Sequence, residues 1–117
     1  MSDTYAVKTK DPLGNTIVCT RNSWKTHILE DSEHTIMTGN EKAVEETLKD
    51  PDTICQSSQS KSRTVYFKKG ATSSYSNELY TKVVTQETGE KRRVVVTAWP
   101  QKSIKGGISD VIYQKDE

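Results

Sequence analysis

The sequence predicts an α+β domain in which an N-terminal hairpin and two helices pack on a four-stranded antiparallel sheet. Three observations support this prediction: β-rich runs dominate the second half, two helix-forming segments precede them, and an alternating hairpin opens the chain. The chain has 117 residues, 32% of them hydrophobic and 28% charged. We therefore expect one domain with a small core over residues 1–117.

The first half contains the hairpin and both predicted helices. Alternating segments at 4–10 and 16–20 flank DPLGN, whose proline, glycine and asparagine are typical of a turn. NSWKTHILEDSEH, residues 22–34, is predicted to be a short helix, and NEKAVEETLKD, residues 40–50, an amphipathic one. Pro51 ends the second helix, because the residue before a proline disfavours helical geometry.

The second half contains the four β-rich runs DTICQS, RTVYFKK, LYTKVVTQ and RRVVVTAW. ETGE joins the last two, and so short a connection requires an antiparallel hairpin. Regular alternation in the last run places Arg93, Thr97 and Trp99 on one face, opposite small apolar residues suited to burial under the helices. ISDVIY, after the loop QKSIKGG, is consistent with one further edge strand.

Composition excludes several function classes. The net charge is only +1, so a nucleic-acid footprint would have to come from local clustering. No glycine-rich phosphate loop and no nucleophile elbow is present, and scattered acidic residues do not indicate two-metal catalysis. Cys19 and Cys55 form no CxxC pair, so no metal or cofactor is expected; reduced thiols are favoured, and one disulfide stays open.

The chain shows no targeting or membrane signal. MSDTYAVKTK lacks an apolar signal core, and no segment approaches the roughly 18 apolar residues of a membrane span. A soluble protein of the cytoplasm is expected, with delivery into a target cell as the alternative.

The remaining side chains match the needs of metal-free RNA cleavage. That reaction uses one group to take the proton of the 2′-hydroxyl, another to protonate the leaving oxygen, and cations to stabilise the phosphate. The sequence supplies a helix-borne His27, several Arg, Lys and Tyr residues on strands, and Thr97 near the end of the last run. A small domain of another function can carry the same residues.

A set of motifs in a fixed order is more specific. SWKTHI, VEETLKDPDTI, RTVYFKK, LYTKVVT and RRVVVTAW follow one another between residues 11 and 99. In this order and spacing they resemble the phage-associated barnase–EndoU–colicin–RelE-like (BECR fold) nuclease family. The resemblance implies that family's α+β ribonuclease fold and a toxin-like endoribonuclease that leaves a cyclic phosphate, with tRNA as one candidate substrate class.

The resemblance also implies roles for individual residues. His27 matches the helix histidine and is the expected general acid or base, with the other expected catalytic residues being Arg63, Tyr66, Lys82 and Thr97. Expected substrate-binding residues are Lys68, Arg93 and Trp99. The family's His-Pro-Glu stretch is replaced here by DSEHTIM, so no role is carried over to His34.

Each of these residues also has a structural interpretation. His27 can be a packed helix histidine, Arg63 a surface ion-pair partner, and Tyr66 a core tyrosine. Two alternatives to an active enzyme stay open: an RNA- or protein-binding module, and a protein held inactive by a cognate immunity or antitoxin partner.

Overall fold

A computed structural model, which describes residues 5–29, 37–75, 77–104 and 107–115, contains a seven-stranded mixed sheet. Its strands are β1 (Tyr5–Lys10), β2 (Thr16–Thr20), β3 (Thr53–Ser57), β4 (Arg63–Lys69), β5 (Tyr80–Gly89), β6 (Arg92–Gln101) and β7 (Ile108–Gln114). They lie in the order β1-β2-β6-β5-β4-β3-β7. The β2–β6 pair is parallel and the other neighbours are antiparallel.

This architecture shows that the predicted four-stranded sheet with two helices, and with it the BECR-type fold, was wrong. Strands β3 to β6 pair as a meander, but the N-terminal hairpin extends the same sheet through β2, and β7 adds a seventh strand beside β3. Among the described residues, the one α-helix longer than a single turn is α2 (Glu41–Lys49). The parallel contact of β2 with β6 joins distant segments, which alternation within either segment does not indicate.

The first predicted helix is helical over its described part, residues 22–29, but it changes from α to π geometry after one turn. Helix α1 (Arg21–Ser23) is a single turn, and a π-helical segment, Trp24–Leu29, continues it. Thr20 caps this turn by accepting a hydrogen bond from the backbone N–H of Ser23 at 3.1 Å. Residues 30–36, including His34, lie outside the described residues, as do the side chains of residues 27–29.

The main core lies between the sheet and α2, on what we call the helix face. Helix α2 buries Ala43, Val44, Thr47 and Leu48 there, which is the stripe expected from its amphipathic sequence. Trp24 from the π-helical segment is also buried in this core. The sheet residues that complete it are Val7, Ile17, Cys19, Ile54, Tyr66, Val83, Val95 and Ala98.

The opposite side, which we call the cationic face, carries Arg63, Lys82 and Arg92 on β4, β5 and β6. Part of it is covered by a second small core of Cys55, Val65 and Phe67. Residues on both sides of the β6–β7 connection, Ile104 and Ile108, pack against this small core. The rest of the face, over β1, β2 and β6, stays open in the described part of the chain: the described α2 and the π-helical segment pack on its other side.

A bulge in β6 determines which residues reach the cationic face. Val84 lies opposite Thr97 and Thr85 lies opposite Val95, so Val96 is an extra residue without a partner. Regular alternation therefore breaks at this position, and Val95 points into the helix-face core beside Ala98. As a result Arg93 and Thr97 lie on opposite faces, although the sequence predicted one face for both.

Both cysteines are buried and free, one on each face of the sheet. Burial raises the pKa of the Cys19 thiol to about 11, so this thiol is protonated near neutral pH. In the described ranges no helix is long and apolar enough to span a membrane.

Candidate functional site

A cavity of about 390 Å³ on the cationic face brings together four of the predicted site residues. These are Arg63, Lys82, Thr97 and Trp99, supplied by three adjacent strands. The strand register explains the convergence, because Val84 lies opposite Thr97 and Lys82 lies opposite Trp99. Its remaining lining residues are Ser57, Gln59, Val65, Val84 and Gly107. We refer to it as the Arg63 cavity.

The guanidinium of Arg63 is held in place by a neutral partner. Its Nε donates to Oε1 of Gln86 on β5 at 3.1 Å, and Nε2 of Gln86 donates to Oγ of Ser62 at 2.7 Å. Among the described residues no carboxylate forms an ion pair with Arg63. The guanidinium is thus oriented, but no carboxylate of the described residues neutralises its charge. A planar guanidinium in this state is suited to bidentate binding of phosphate oxygens.

Lys82 brings a second cation to the cavity in an unusual setting. Its side chain is 6% exposed, and its ammonium lies 4.6 Å from the ring centroid of Trp99 and 5.9 Å from that of Phe67. Attraction to the aromatic rings favours the charged amine, whereas desolvation disfavours it. Burial lowers the pKa of Lys82 below its ordinary 10.5.

Trp99 and Thr97 supply an aromatic surface and a hydroxyl. The indole Nε1 of Trp99 donates to Oε1 of Gln101 at 3.2 Å, which fixes the ring beside Lys82. Thr97 is half-buried in the cavity wall. Proteins that bind single-stranded nucleic acids combine an aromatic ring with cations in this way, because bases stack on the ring and phosphates pair with the cations.

Tyr66 lies on the other face and is fully buried. Its hydroxyl donates to Oδ2 of Asp11, whose Oδ1 accepts from the backbone N–H groups of Leu13 and Asn15 in the hairpin turn. Burial, followed by the hydrogen bond to Asp11, raises the pKa of Tyr66 far above its ordinary value. The structure therefore gives Tyr66 a packing role that anchors the DPLGN turn to the sheet.

Arg93 and Lys68 also point to the helix face, away from the Arg63 cavity. Arg93 donates through Nε to Oγ1 of Thr85 at 2.9 Å and through Nη2 to the carbonyl of Ser62 at 3.1 Å. A further bond joins Arg93 to Oγ1 of Thr64. Lys68 lies 3.3 Å from a carboxylate oxygen of Asp50 at the end of α2.

The position of His27 is described only at the backbone level. It lies in the π-helical segment, whose Trp24 packs into the helix-face core. Its side chain is outside the described part, as is the whole of His34. The expected meeting of His27 with Arg63, Lys82 and Thr97 therefore stays a prediction.

Gln86 and Ser62 were missed by the sequence analysis. Gln86 orients Arg63 from the neighbouring strand, and the β4–β5 register pairs the two residues directly. A correct alignment of RTVYFKK with LYTKVVTQ would have identified this pair, since alternation alone does not give register.

The chemistry available in the Arg63 cavity is anion binding beside an aromatic ring. Among the described residues that line it, none is a histidine or a carboxylate. The groups can bind a phosphodiester and stabilise negative charge that grows on it. Comparisons of the chain with protein-family models, with curated proteins and with solved structures each found no match.

Proposed function

We propose that the protein is a metal-independent endoribonuclease that binds an RNA phosphodiester in the Arg63 cavity. The observation that supports this most is the convergence of Arg63, Lys82, Thr97 and Trp99 from three strands on one cavity. Two cations neutralise the phosphate, the threonine hydroxyl hydrogen-bonds it, and the indole stacks on a neighbouring base.

In the proposed reaction the 2′-oxygen of the ribose attacks the adjacent phosphorus and loses its proton to a general base. The bond from phosphorus to the 5′-oxygen breaks, and that oxygen takes a proton from a general acid. The products are a 2′,3′-cyclic phosphate and a 5′-hydroxyl, so no atom from water enters at this step. Arg63 and Lys82 stabilise the extra negative charge of the transition state. The sequence offers His27 as the acid or base, but its π-helical segment packs on the helix face, opposite the cavity, so the proposal does not depend on His27.

A non-catalytic RNA-binding module is the second candidate. It is favoured by the absence of histidine and carboxylate groups among the described residues that line the cavity. Such a module predicts RNA binding that weakens with salt but leaves the strand intact.

One assay separates the two candidates. Purified protein is incubated with a labelled single-stranded RNA in EDTA, beside the same oligonucleotide with 2′-deoxyribose throughout. The enzyme predicts cyclic-phosphate products from the RNA alone and their loss in Arg63→Ala, whereas His27→Ala tests separately whether that histidine is the acid or base. Lys42→Gln, on the exposed side of α2, is the matched charge control and should cleave like the wild type. Intact RNA at every protein concentration would contradict the enzyme, and cleavage by Arg63→Ala at the wild-type rate would remove the cavity from the mechanism.

A further inference from the structure

A second cavity on the cationic face lies at the far edge of the sheet. It has a volume of about 430 Å³, and its lining residues are Tyr5, Lys8, Thr16, Val18, Thr88, Arg92 and Arg93, although the guanidinium of Arg93 donates to Thr85 on the helix face. The Lys8 ammonium lies 5.4 Å from the ring centroid of Tyr5. This cavity, which we call the Lys8 cavity, repeats the combination of two cations, hydroxyls and an aromatic ring found around Arg63.

Strand register places both cavities on the same side of the sheet. Thr16 lies beside Arg92 and Val18 beside Val94 in the parallel β2–β6 pair, and Val18 also faces Lys8 on β1. Val94 in turn lies opposite Gln86, the residue that orients Arg63. Because paired residues share a face, this continuous series connects Lys8 to Arg63 across five strands.

A third, mostly apolar cavity of about 260 Å³ lies between these two. Its lining includes Val18, which it shares with the Lys8 cavity, and Gln86, which contacts Arg63. Val94 and Val96 add further apolar surface. The bulge at Val96 leaves that residue unpaired in the ladder and facing this cavity. The third cavity is also lined by Cys19 and Val95 of the helix-face core, so it borders both faces of the sheet. It adjoins the Lys8 cavity at Val18 and extends toward Arg63 through Gln86, so the three cavities together offer a path with cations at both ends and valines in the middle, which we call the groove.

The charge of the groove is one-sided although the chain is nearly neutral. None of the described residues that line the three cavities is acidic. By contrast, the shallow cavity along α2 combines Lys42 and Lys49 with Glu45 and Glu46. The clustering of cations without acidic residues therefore favours anion binding at the groove but not at the surface of α2.

The length of the groove exceeds what one phosphate needs. Four strand spacings separate β1 from β4, which is roughly 19 Å at ~4.8 Å each. A stacked single strand rises about 3.4 Å per nucleotide, so the groove accommodates about five nucleotides. An acidic protein segment would match the cations too, but aromatic rings at both ends and valines between them suit nucleobases better.

We infer that a single RNA strand lies across the cationic face, with one phosphate in the Arg63 cavity and a second, several nucleotides away, in the Lys8 cavity. Lys8 and Arg92 pair with the distant phosphate, Tyr5 stacks on its base, and intervening bases contact the valines. The inference rests on the proposed function only in taking RNA as the ligand of the Arg63 cavity. It assigns a subsite to the N-terminal hairpin, which carries no role in the cleavage step.

The test measures how affinity grows with RNA length. Fluorescent oligonucleotides with 2′-O-methyl riboses, which resist cleavage, are titrated as a dinucleotide and as an octanucleotide at several salt concentrations. For the wild type we expect the octanucleotide to bind at least about tenfold more tightly, because it reaches both subsites. Lys8→Gln/Arg92→Gln should lose most of this gain, and its salt slope should fall by about 0.7, the value for one neutralised phosphate of a single strand. Lys42→Gln/Lys49→Gln removes the same charge from α2 and should keep the gain.

Each outcome decides a separate question. Equal length dependence in the wild type and in Lys8→Gln/Arg92→Gln would overturn the second subsite, even if the wild type cleaves RNA. Loss of the gain in that variant without any cleavage of unmodified RNA would support the subsite and contradict the enzyme. Tighter binding of a polyglutamate peptide of equal charge, with the same dependence on Lys8 and Arg92, would overturn RNA as the occupant in favour of an acidic protein. Absence of RNA binding by the wild type would overturn both proposals.

Discussion

The two faces of the sheet carry similar residues, but the polar groups of these residues have different hydrogen-bond partners on the two faces. On the helix face, the arginine Arg93 donates to two threonine hydroxyls and a carbonyl, and Tyr66 donates to a buried carboxylate. On the cationic face, Arg63 is oriented by the neutral amide of Gln86, and Lys82 lies beside Trp99. Both arginines have neutral partners, but Arg93 makes three such bonds and Arg63 one, so the number of bonds that a cation already makes, more than its residue type, indicates which of the two can bind a ligand.

Replacement of Arg63 should produce the largest effect on activity. Arg63→Ala removes the guanidinium that we propose binds the phosphate, and loss of one such donor typically reduces kcat by about 10²–10³-fold. The free energy of unfolding should change by less than about 0.5 kcal/mol, because the side chain is half-exposed and its partner amide can bind water. Single-turnover cleavage and urea unfolding measure the two quantities. A large loss in the free energy of unfolding with little loss of cleavage would show that Arg63 has a structural role and does not bind the RNA.

Replacement of Arg93 should have the opposite pattern. Arg93→Ala leaves the hydroxyls of Thr64 and Thr85 without this donor, although the Ser62 carbonyl keeps its bond from the backbone N–H of Glu87, so we expect a loss of about 2–3 kcal/mol in the free energy of unfolding. Cleavage by the folded fraction should stay within about threefold of the wild type. Urea unfolding together with cleavage at low temperature checks both. An effect confined to cleavage would show that Arg93 contacts RNA, as the sequence alone predicted.

Tyr66→Phe should destabilise the protein by a smaller amount. The variant removes the hydroxyl that donates to Asp11, but Asp11 keeps its bonds from the turn, so we expect about 1–2 kcal/mol. The loss should appear in urea unfolding, with cleavage by the folded protein nearly unchanged. A strong loss of kcat at full stability would instead support the catalytic role that the family resemblance implies for Tyr66.

The pH dependence of RNA binding should show the smallest effect. Burial lowers the pKa of Lys82 in the free protein, and a bound phosphate favours the charged amine, so its pKa is higher in the complex. Affinity should therefore be highest below the free-protein pKa and fall by a few-fold as pH rises through it toward 10.5. Lys82→Arg, which stays charged, should lose this fall, whereas Lys42→Arg should retain it. An identical profile for wild type and Lys82→Arg would contradict the contact with phosphate.

Local pattern was a good guide to individual strands but not to the sheet they build. The runs RTVYFKK and RRVVVTAW lie in β4 and β6, because alternation and β-branched residues report local conformation. The parallel pairing of β2 with β6 depends on contacts between distant segments. The sequence indicated the segments of all seven strands, but without that pairing it could not place the N-terminal hairpin inside the sheet.

The candidate site was predictable only in part, because alternation within a strand gives the face of a residue but not the pairing of distant strands. Alternation within β4 correctly separates Arg63 from Tyr66, and the pairing of β5 with β6 brings Lys82 to Trp99. The bulge at Val96 then reverses the orientation of Arg93, which no residue type in RRVVVTAW signals. The groove that reaches Lys8 also depends on the β2–β6 pairing and so was not visible in the sequence.

The central claim is that RNA binds the cationic face of the sheet, and photo-crosslinking tests it most directly. A 2′-O-methyl octanucleotide with 4-thiouridine at successive positions is irradiated with the full-length protein, and crosslinked peptides are identified by mass spectrometry. We predict attachment at Trp99 and, from nucleotides several positions away, at Tyr5, with both lost in the presence of excess unlabelled RNA. Competed crosslinks confined to α2, with none at Trp99 or Tyr5, would contradict the account.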